Sequence, residues 1–202
     1  MTVNIGESIY EGLSIVQFNE LLKIASHTVP FGIYAIERKG VAIMLRKRYK
    51  SKPALRKAVK EYMAYAAKNV NLNPENIKIS PEKIVASCDE TGFDLPLLMA
   101  QAHMESCFGL TPRAQKTNSV FSIGLYDNGK NASIYSTQDD SIAPYIKIVQ
   151  NDYLRDRSIE DMLSPGNFTN KNNHRYASAK NYESNINSIR NRIINMFPIL
   201  SQ

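Results

Sequence analysis

The stretch Leu95 to Gly109, LPLLMAQAHMESCFG, predicts an almost wholly apolar helix that carries one carboxylate, Glu105, near its end. Asp94 precedes the run as a candidate N-cap, and Pro96 lies in the first turn, where a missing N–H costs little. Gly109 marks the predicted end of the helix. The rest of the chain is interpreted around this helix and its acid.

One face of this helix combines Leu97, Gln101, Glu105 and Phe108, so the acid shares a stripe with apolar neighbours and one amide. Three effects can raise the pKa of this carboxyl: apolar burial, the C-terminal end of the helix dipole, and the lack of Lys or Arg within one helical turn. A proton-donating acid needs such an environment. The sequence therefore predicts that Glu105 is a general acid. The alternative is a glutamate at a fraying helix end that points into water.

Four segments follow one another in the order of a known family: QAHMESCFG (Gln101 to Gly109), TNSVFSIG (Thr117 to Gly124), YSTQDDSIAPYIKIVQNDYL (Tyr135 to Leu154) and RYASAKNYESNINSI (Arg175 to Ile189). Together they resemble the glucosaminidase and lytic-transglycosylase branch of the lysozyme-like superfamily. The resemblance extends from about Ser80 to Phe197. It implies a mainly α (α+β) fold, in which a lysozyme-like helical domain carries a small β-hairpin lobe.

The resemblance also implies roles for individual residues. Glu105 matches the catalytic acid, and Tyr176 matches a tyrosine that lines the cleft beside it. The β-lobe is expected to begin near Asn118, and Ser122 departs from the family pattern, which has glycine before the isoleucine. This departure should alter substrate contacts more than chemistry. The residues expected to bind substrate are Gln101, Asn118, Ser119, Phe121 and Ser122.

A second carboxyl would define the stereochemistry of glycan cleavage. Carboxyl groups about 5 Å apart indicate retention, and groups about 6.5 to 9.5 Å apart indicate inversion. Asp127 is the candidate, on a hairpin predicted to turn at Asn128-Gly129, with Asp139 or Asp140 behind it. The alternative for Asp127 is simple turn chemistry. In the resembling family the second carboxyl is often distant or absent, and the N-acetyl or 6-hydroxyl group of the substrate then takes its role.

No cofactor or metal is expected from the motifs. His103 forms an H-x-E triplet with Glu105, but a second His at i+4 and a C-x-x-C motif are both lacking. Residues 127–138 superficially resemble a calcium loop, yet Ala132 and Gln138 stand where glycine and glutamate are needed. Walker and G-x-S-x-G motifs are also lacking.

Composition predicts a soluble globular protein. Its 202 residues, 43% of them hydrophobic, can bury one good core and a small second unit. The chain lacks a run of roughly 18 apolar residues, so no membrane span is expected. The start MTVNIGESIYEG has neither the charged n-region nor the apolar h-region of a Sec signal peptide, so no such signal is expected. Cys88 and Cys107 lie on separate predicted helices, which permits a disulfide, but free buried thiols are expected.

Positive charge is concentrated in the N-terminal part of the chain. Residues 1–80 carry a net charge of +7, whereas residues 81–202 carry −1. The densest cluster runs from Arg46 to Lys60, within and before a helix predicted from about Pro53 to Lys68. Such a cluster can hold nucleic acid, an anionic membrane surface or an acidic protein, and the alternative is a solvated helix face.

Two units are expected along the chain. The Asn-rich stretch 69–79 lacks periodicity, so we predict a basic N-terminal adaptor at 1–78 and a lysozyme-like domain at 79–202. Within the adaptor, IYAIERKGVAIML predicts either a hairpin turning at 38–40 or a helix through Gly40. A virion protein or nucleic acid is the partner predicted for the adaptor.

The sequence therefore predicts a peptidoglycan hydrolase that cleaves β-1,4 bonds of glycan strands, as an endo-β-N-acetylglucosaminidase with Glu105 as its acid. The basic leader, together with the lack of a signal and of wall-binding repeats, predicts by analogy a bacteriophage particle component or phage-encoded lytic factor acting on the bacterial wall. Two alternatives remain. One is a lytic transglycosylase or muramidase with the same acid, and the other is a non-catalytic virion structural or glycan-binding protein.

Overall fold

A computed structural model describes the chain at residues 34–38, 41–45, 52–124, 133–155 and 157–201. The chain forms two compact units, Met1–Arg48 and Tyr49–Gln202. In the first unit, strands β1 (Tyr34–Arg38) and β2 (Val41–Leu45) pair antiparallel, with Arg38 opposite Val41. These strands lie where the sequence allows a hairpin turning at 38–40.

The second unit is mostly helical. Its α-helices are α1 (Lys52–Asn69), α2 (Pro81–Thr91), α3 (Leu95–Ser106), α4 (Pro112–Thr117), α5 (Ile142–Ile148), α6 (Ile159–Met162) and α7 (Tyr182–Met196). Short 3-10 helices span Pro74–Asn76, Asp139–Ser141 and Pro198–Ser201, and a π-helix, Val149–Leu154, continues α5. Within the described ranges, no helix is both long enough and apolar enough to cross a membrane.

Three helices begin with the same local signal, an N-cap side chain followed by a proline in the first turn. The Ser80 hydroxyl accepts a hydrogen bond from the backbone N–H of the third helical residue of α2, and the Asp94 carboxylate does the same for α3. The start at Asp94 confirms the sequence prediction. Thr111 caps α4 in the same way.

Helix α3 lies at the centre of the second unit. Every residue from Leu95 to Ala102 is buried, and the helix packs against α1, α2 and α7. A helix that is apolar around its whole circumference is stable only when other elements surround it. Only its last turn, which holds Glu105, approaches the surface. Cys88 on α2 and Cys107 after α3 are both buried and form no disulfide, as expected.

Helix α1 belongs to this same core. Leu55, Val59 and Tyr62 are at most 1% exposed, and the Tyr62 hydroxyl hydrogen-bonds His103 Nδ1 at 2.9 Å. The compact units therefore divide between residues 48 and 49, and this corrects the boundary expected near residue 78. The Asn-rich stretch 69–79 is a short connection between two packed helices of one unit, and its polarity reflects exposure to solvent.

The predicted β-lobe lies only partly within the described residues. Residues 125–132, which contain Asp127 and its predicted turn, fall outside them. On either side, the Ser133 N–H donates to the Ile123 carbonyl at 3.1 Å, so the two ends of the segment lie side by side. The described flanks contain no strand. The β-lobe therefore remains a prediction.

Candidate active site

A cleft of about 220 Å³ opens at the C-terminal end of α3. Glu105 lines it. The lining also includes Arg113 and Thr117 on α4, and Ser119 and Ser122 in the following segment. The cleft therefore joins one acid and one cation to several hydroxyl-bearing residues.

The turn after α3 explains why the acid reaches the cleft. The helix ends at Ser106, and the next three residues, Cys107, Phe108 and Gly109, all have positive φ angles. The Cys107 N–H donates to the His103 carbonyl at 2.8 Å, and the Phe108 N–H donates to the Ala102 carbonyl at 2.9 Å, so backbone hydrogen bonds close the end of the helix. The helix therefore ends three residues before the Gly109 predicted from the sequence, and Glu105 lies in its last turn.

Two polar side chains fasten this turn to the cleft wall. The Ser106 hydroxyl donates to the Val120 carbonyl at 2.7 Å and accepts from the Gly109 N–H at 2.8 Å. The Gln138 amide donates to the Gly109 carbonyl at 3.0 Å. The end of the acid-bearing helix and the segment that carries Ser119 and Ser122 are thus held in one arrangement.

Opposing effects act on the Glu105 carboxyl. Its burial disfavours the charged form and raises its pKa above the ordinary value. Hydrogen bonds from Tyr182, at 2.5 Å to Oε1, and from Ser122 lower the pKa, but burial is the larger effect. The net shift is toward the protonated carboxyl, the form that a general acid requires. It does not sit at a frayed helix end in open water.

A buried chain of hydrogen bonds runs through the core and ends at the Glu105 carboxyl. The Tyr145 hydroxyl on α5 donates to Gln101 Oε1, Gln101 Nε2 donates to the Tyr182 hydroxyl at 3.0 Å, and that hydroxyl donates to Glu105. Gln101 is 0% exposed. The residue that the sequence predicted as a substrate contact therefore supports the acid from within the core and does not line the cleft.

Tyr176 stacks on Tyr182, the tyrosine whose hydroxyl donates to Glu105. The Tyr176 ring also stacks on Phe168, and its hydroxyl donates to the Phe121 carbonyl at 3.1 Å. The tyrosine that contacts Glu105 is thus Tyr182, which the sequence interpretation missed. The motif that carries Tyr176 also contains Tyr182, but sequence distance gave no reason to choose between them.

An ion pair anchors the segment that carries Tyr176. Arg175 donates to both carboxylate oxygens of Glu183, at 2.8 and 2.9 Å, and Glu183 is 1% exposed. Burial alone would raise the pKa of Glu183, but the hydrogen bonds from Arg175 and from the backbone outweigh it and lower the pKa. Glu183 is therefore a charged structural anchor and not a second acid for the cleft.

The remaining predicted substrate contacts have different positions. Ser119 and Ser122 line the cleft, as noted above. Phe121 is buried and stacks on Tyr145 with ring centroids 4.1 Å apart. The Asn118 amide donates to the Tyr135 carbonyl at 3.0 Å, which ties the end of α4 to the returning chain. Phe121 and Asn118 therefore support the residues that line the cleft and do not line it themselves.

The candidates for a second carboxyl are not brought to the cleft by the described part of the chain. Asp127 falls outside the described residues. Asp139 accepts a hydrogen bond from the Ser80 N–H at 2.7 Å, and Asp140 accepts from the Thr137 N–H at 2.9 Å. Among the described residues, Glu105 is the one carboxyl that lines the cleft.

Comparison with models of protein families gives no match, and comparison with curated proteins gives none either. Within the described ranges, no group of three His, Cys, Asp or Glu residues is placed to hold a metal ion. The site brings together Glu105, its two hydrogen-bond donors Tyr182 and Ser122, and the cleft that Glu105 lines.

Proposed function

We propose that this protein is a peptidoglycan hydrolase that cleaves β-1,4 glycosidic bonds in the manner of an endo-β-N-acetylglucosaminidase, with Glu105 as general acid. The observation that carries the proposal is a carboxyl that lines a cleft and whose pKa is raised by burial. The resemblance of four ordered segments to the glucosaminidase and lytic-transglycosylase branch supports the substrate class.

The surroundings of Glu105 suit the protonated carboxyl before proton transfer and the carboxylate after it. Before reaction, burial raises the pKa of the carboxyl and so favours its protonated form. When the proton passes to the oxygen of the leaving sugar, the carboxylate that forms accepts hydrogen bonds from Tyr182 and Ser122. Hydrogen bonds to a charged acceptor are stronger than those to a neutral one, so both bonds strengthen as the glycosidic bond breaks.

The positive charge that develops on the sugar needs a second group. Because Glu105 is the one carboxyl lining the cleft among the described residues, a group of the substrate is the natural candidate. An N-acetyl group in this role leads to hydrolysis. Attack by the 6-hydroxyl group of muramic acid leads instead to an anhydro product, so a lytic transglycosylase is the second candidate function.

The basic N-terminal part belongs to the proposal as a binding element. Residues 1–80 carry a net charge of +7, which suits a virion partner or packaged nucleic acid, as in a bacteriophage particle component or phage-encoded lytic factor. Lys and Arg contacts to phosphate release counterions, so nucleic-acid binding should weaken steeply as salt rises. A partner held by apolar contacts would show little dependence on salt.

Cleavage is tested on purified cell walls by zymography with the wild type, Glu105→Gln and Glu75→Gln. Glu75 is an exposed acid on a connection away from the cleft and serves as the matched control. We expect Glu105→Gln to lose activity by about a hundredfold or more, since the amide cannot donate the proton, while Glu75→Gln clears like the wild type. Equal clearing by Glu105→Gln would remove Glu105 from its role. No clearing by the wild type would favour the non-catalytic structural or glycan-binding protein.

The same digest distinguishes the two chemistries. Mass spectrometry of unreduced products should show reducing N-acetylglucosamine ends if the protein is the proposed hydrolase. A product lighter by one water would identify the lytic transglycosylase and reject the hydrolase. A reducing muramic acid end would instead identify a muramidase.

A further inference from the structure

Arg113 brings a positive charge to the lining of the cleft that holds Glu105. It lies on α4, is exposed, and lines the same cleft as Glu105. Within the described part of the chain, its guanidinium takes part in no ion pair. Its backbone carbonyl accepts a hydrogen bond from the Thr117 hydroxyl at 2.9 Å, so the residue has a fixed place in the short helix.

The cleft has no compensating negative charge when Glu105 is protonated. Glu105 is the one carboxyl of the described lining, and burial favours its neutral form. Arg113 then leaves this side of the cleft with a net positive charge. A concave surface with one sign of charge attracts ligands of the opposite sign, and a guanidinium matches a carboxylate in shape and hydrogen bonding.

A second observation indicates that a polar ligand enters here. Ser119 is among the residues that line the cleft, and its buried hydroxyl has no hydrogen-bond partner among the described residues. Ser119 as a whole is 5% exposed. Buried hydroxyl groups are normally paired, so an unpaired one on a residue that lines a cleft is suited to a hydrogen bond with a bound molecule.

We infer that Arg113 and Ser119 form a subsite for a glycan that carries a carboxylate, with Arg113 binding the carboxylate and the Ser119 hydroxyl binding a neighbouring polar atom. This inference deepens the proposed function and rests on it. In peptidoglycan the carboxylate can come from the lactyl group of the muramyl sugar or from the attached peptide. An N-acetylglucosamine oligomer has neither group, so the subsite would favour wall glycans over chitin-like chains.

The test measures binding separately from cleavage. The full chain carrying Glu105→Gln is titrated calorimetrically with three soluble ligands: a muramyl disaccharide with a free lactyl group, the same disaccharide with its peptide, and an N-acetylglucosamine oligomer. Arg113→Gln, Arg113→Lys and Lys116→Gln are each added to this background. Lys116 is an exposed cation on the same helix that does not line the cleft, and it is therefore the matched control.

We expect Arg113→Gln to weaken binding of at least one muramyl ligand about tenfold, since a charge-assisted hydrogen bond is lost. Arg113→Lys should recover part of this loss. Lys116→Gln should change binding by no more than about twofold, because an exposed charge outside the site contributes little. Binding of the N-acetylglucosamine oligomer should be unchanged in all variants.

The pattern of loss identifies the source of the carboxylate. A loss confined to the peptide-free disaccharide assigns the lactyl group, and a loss confined to the peptide-bearing ligand assigns the peptide. Equal losses for Arg113→Gln and Lys116→Gln, an equal loss on the neutral oligomer, or no binding of any ligand would overturn the inference. Wall clearing by the wild type reports on the proposed function independently of all these outcomes.

Discussion

At Glu105, burial and hydrogen bonding act in opposite directions on a single proton. Burial raises the pKa of the carboxyl, and the donors Tyr182 and Ser122 lower it. A general acid must be protonated to act, so activity should fall as pH rises through this pKa. The position of that fall depends on how many donors remain.

Replacing Tyr182 by Phe removes one donor and keeps the ring that stacks on Tyr176. We expect the pKa of Glu105 to rise further, so the alkaline limb of the kcat profile should move to higher pH. Loss of the hydrogen bond also frees the carboxyl to turn, and kcat at acidic pH should fall about tenfold. The measurement is kcat against pH for both proteins.

The control for this prediction is Tyr65→Phe on α1, which removes a hydroxyl from a helix outside the cleft lining. Its profile should overlay that of the wild type. A Tyr182→Phe profile whose alkaline limb moves to lower pH would contradict the role assigned to the tyrosine. A lower kcat with no shift at all would mean that Tyr182 supports packing only.

Among the elements, the turn that ends α3 has the most demanding backbone. Gly109 has a φ of +85°, and a Cβ at this position would overlap the side-chain amide of Gln138. Gly166 has a φ of +80°, but a Cβ there would meet nothing within 4 Å. The two glycines therefore separate the cost of a left-handed backbone from the cost of a steric clash.

We expect Gly109→Ala to lower the free energy of unfolding by about 3 kcal/mol, since backbone strain and overpacking add. Gly166→Ala should lower it by about 1 kcal/mol, from backbone strain alone. Urea denaturation of both variants and the wild type measures the difference. Equal losses would show that Gln138 moves aside freely and does not fasten the turn.

The start of an element could be predicted from sequence better than its end. The N-caps Ser80 and Asp94 lie beside their prolines, so the signal is local. Thr111 has the same signal, yet the helix it caps has only six residues and no hydrophobic period to mark it. The end of α3 was misplaced because Cys107 and Phe108 adopt positive φ angles that such residues rarely take.

In the candidate site, too, features set by neighbouring residues could be predicted, and contacts between distant residues could not. The burial of Glu105 could be predicted because the residues around it in its own helix are apolar. Its partner Tyr182 is 77 residues away, and only the packing of α7 against α3 brings the two together. Gln101 was placed on the correct face of α3, but its burial behind the acid depends on Tyr145 from α5.

At the scale of the whole molecule, the second compact unit begins near Tyr49 and includes α1. We expect residues 49–202 to fold alone and to keep wall-cleaving activity. A chain that begins at Ile79 loses the buried α1 side chains, each large one stabilising the fold by about 1.5 to 3 kcal/mol. Because a domain is stable by only about 5 to 15 kcal/mol, this shorter chain should not fold.

Thermal unfolding followed by circular dichroism, with wall clearing as the activity assay, measures both chains beside the full protein. A cooperative transition and full activity in residues 79–202 would show that α1 is dispensable and would restore the division near residue 78. An inactive but folded chain of residues 49–202 would mean that residues 1–48 complete the cleft.

The hydrogen-bond chain that ends at Glu105 constrains the position of the acid, whereas the walls of the cleft are free to vary. The acid is held by a chain of side chains from its own helix α3 and from two helices distant in sequence, α5 and α7. The cleft walls instead come from the six-residue α4 and the coil that follows it. Evolution or engineering can therefore change which glycan is accepted by altering the walls, while the proton donor keeps its orientation.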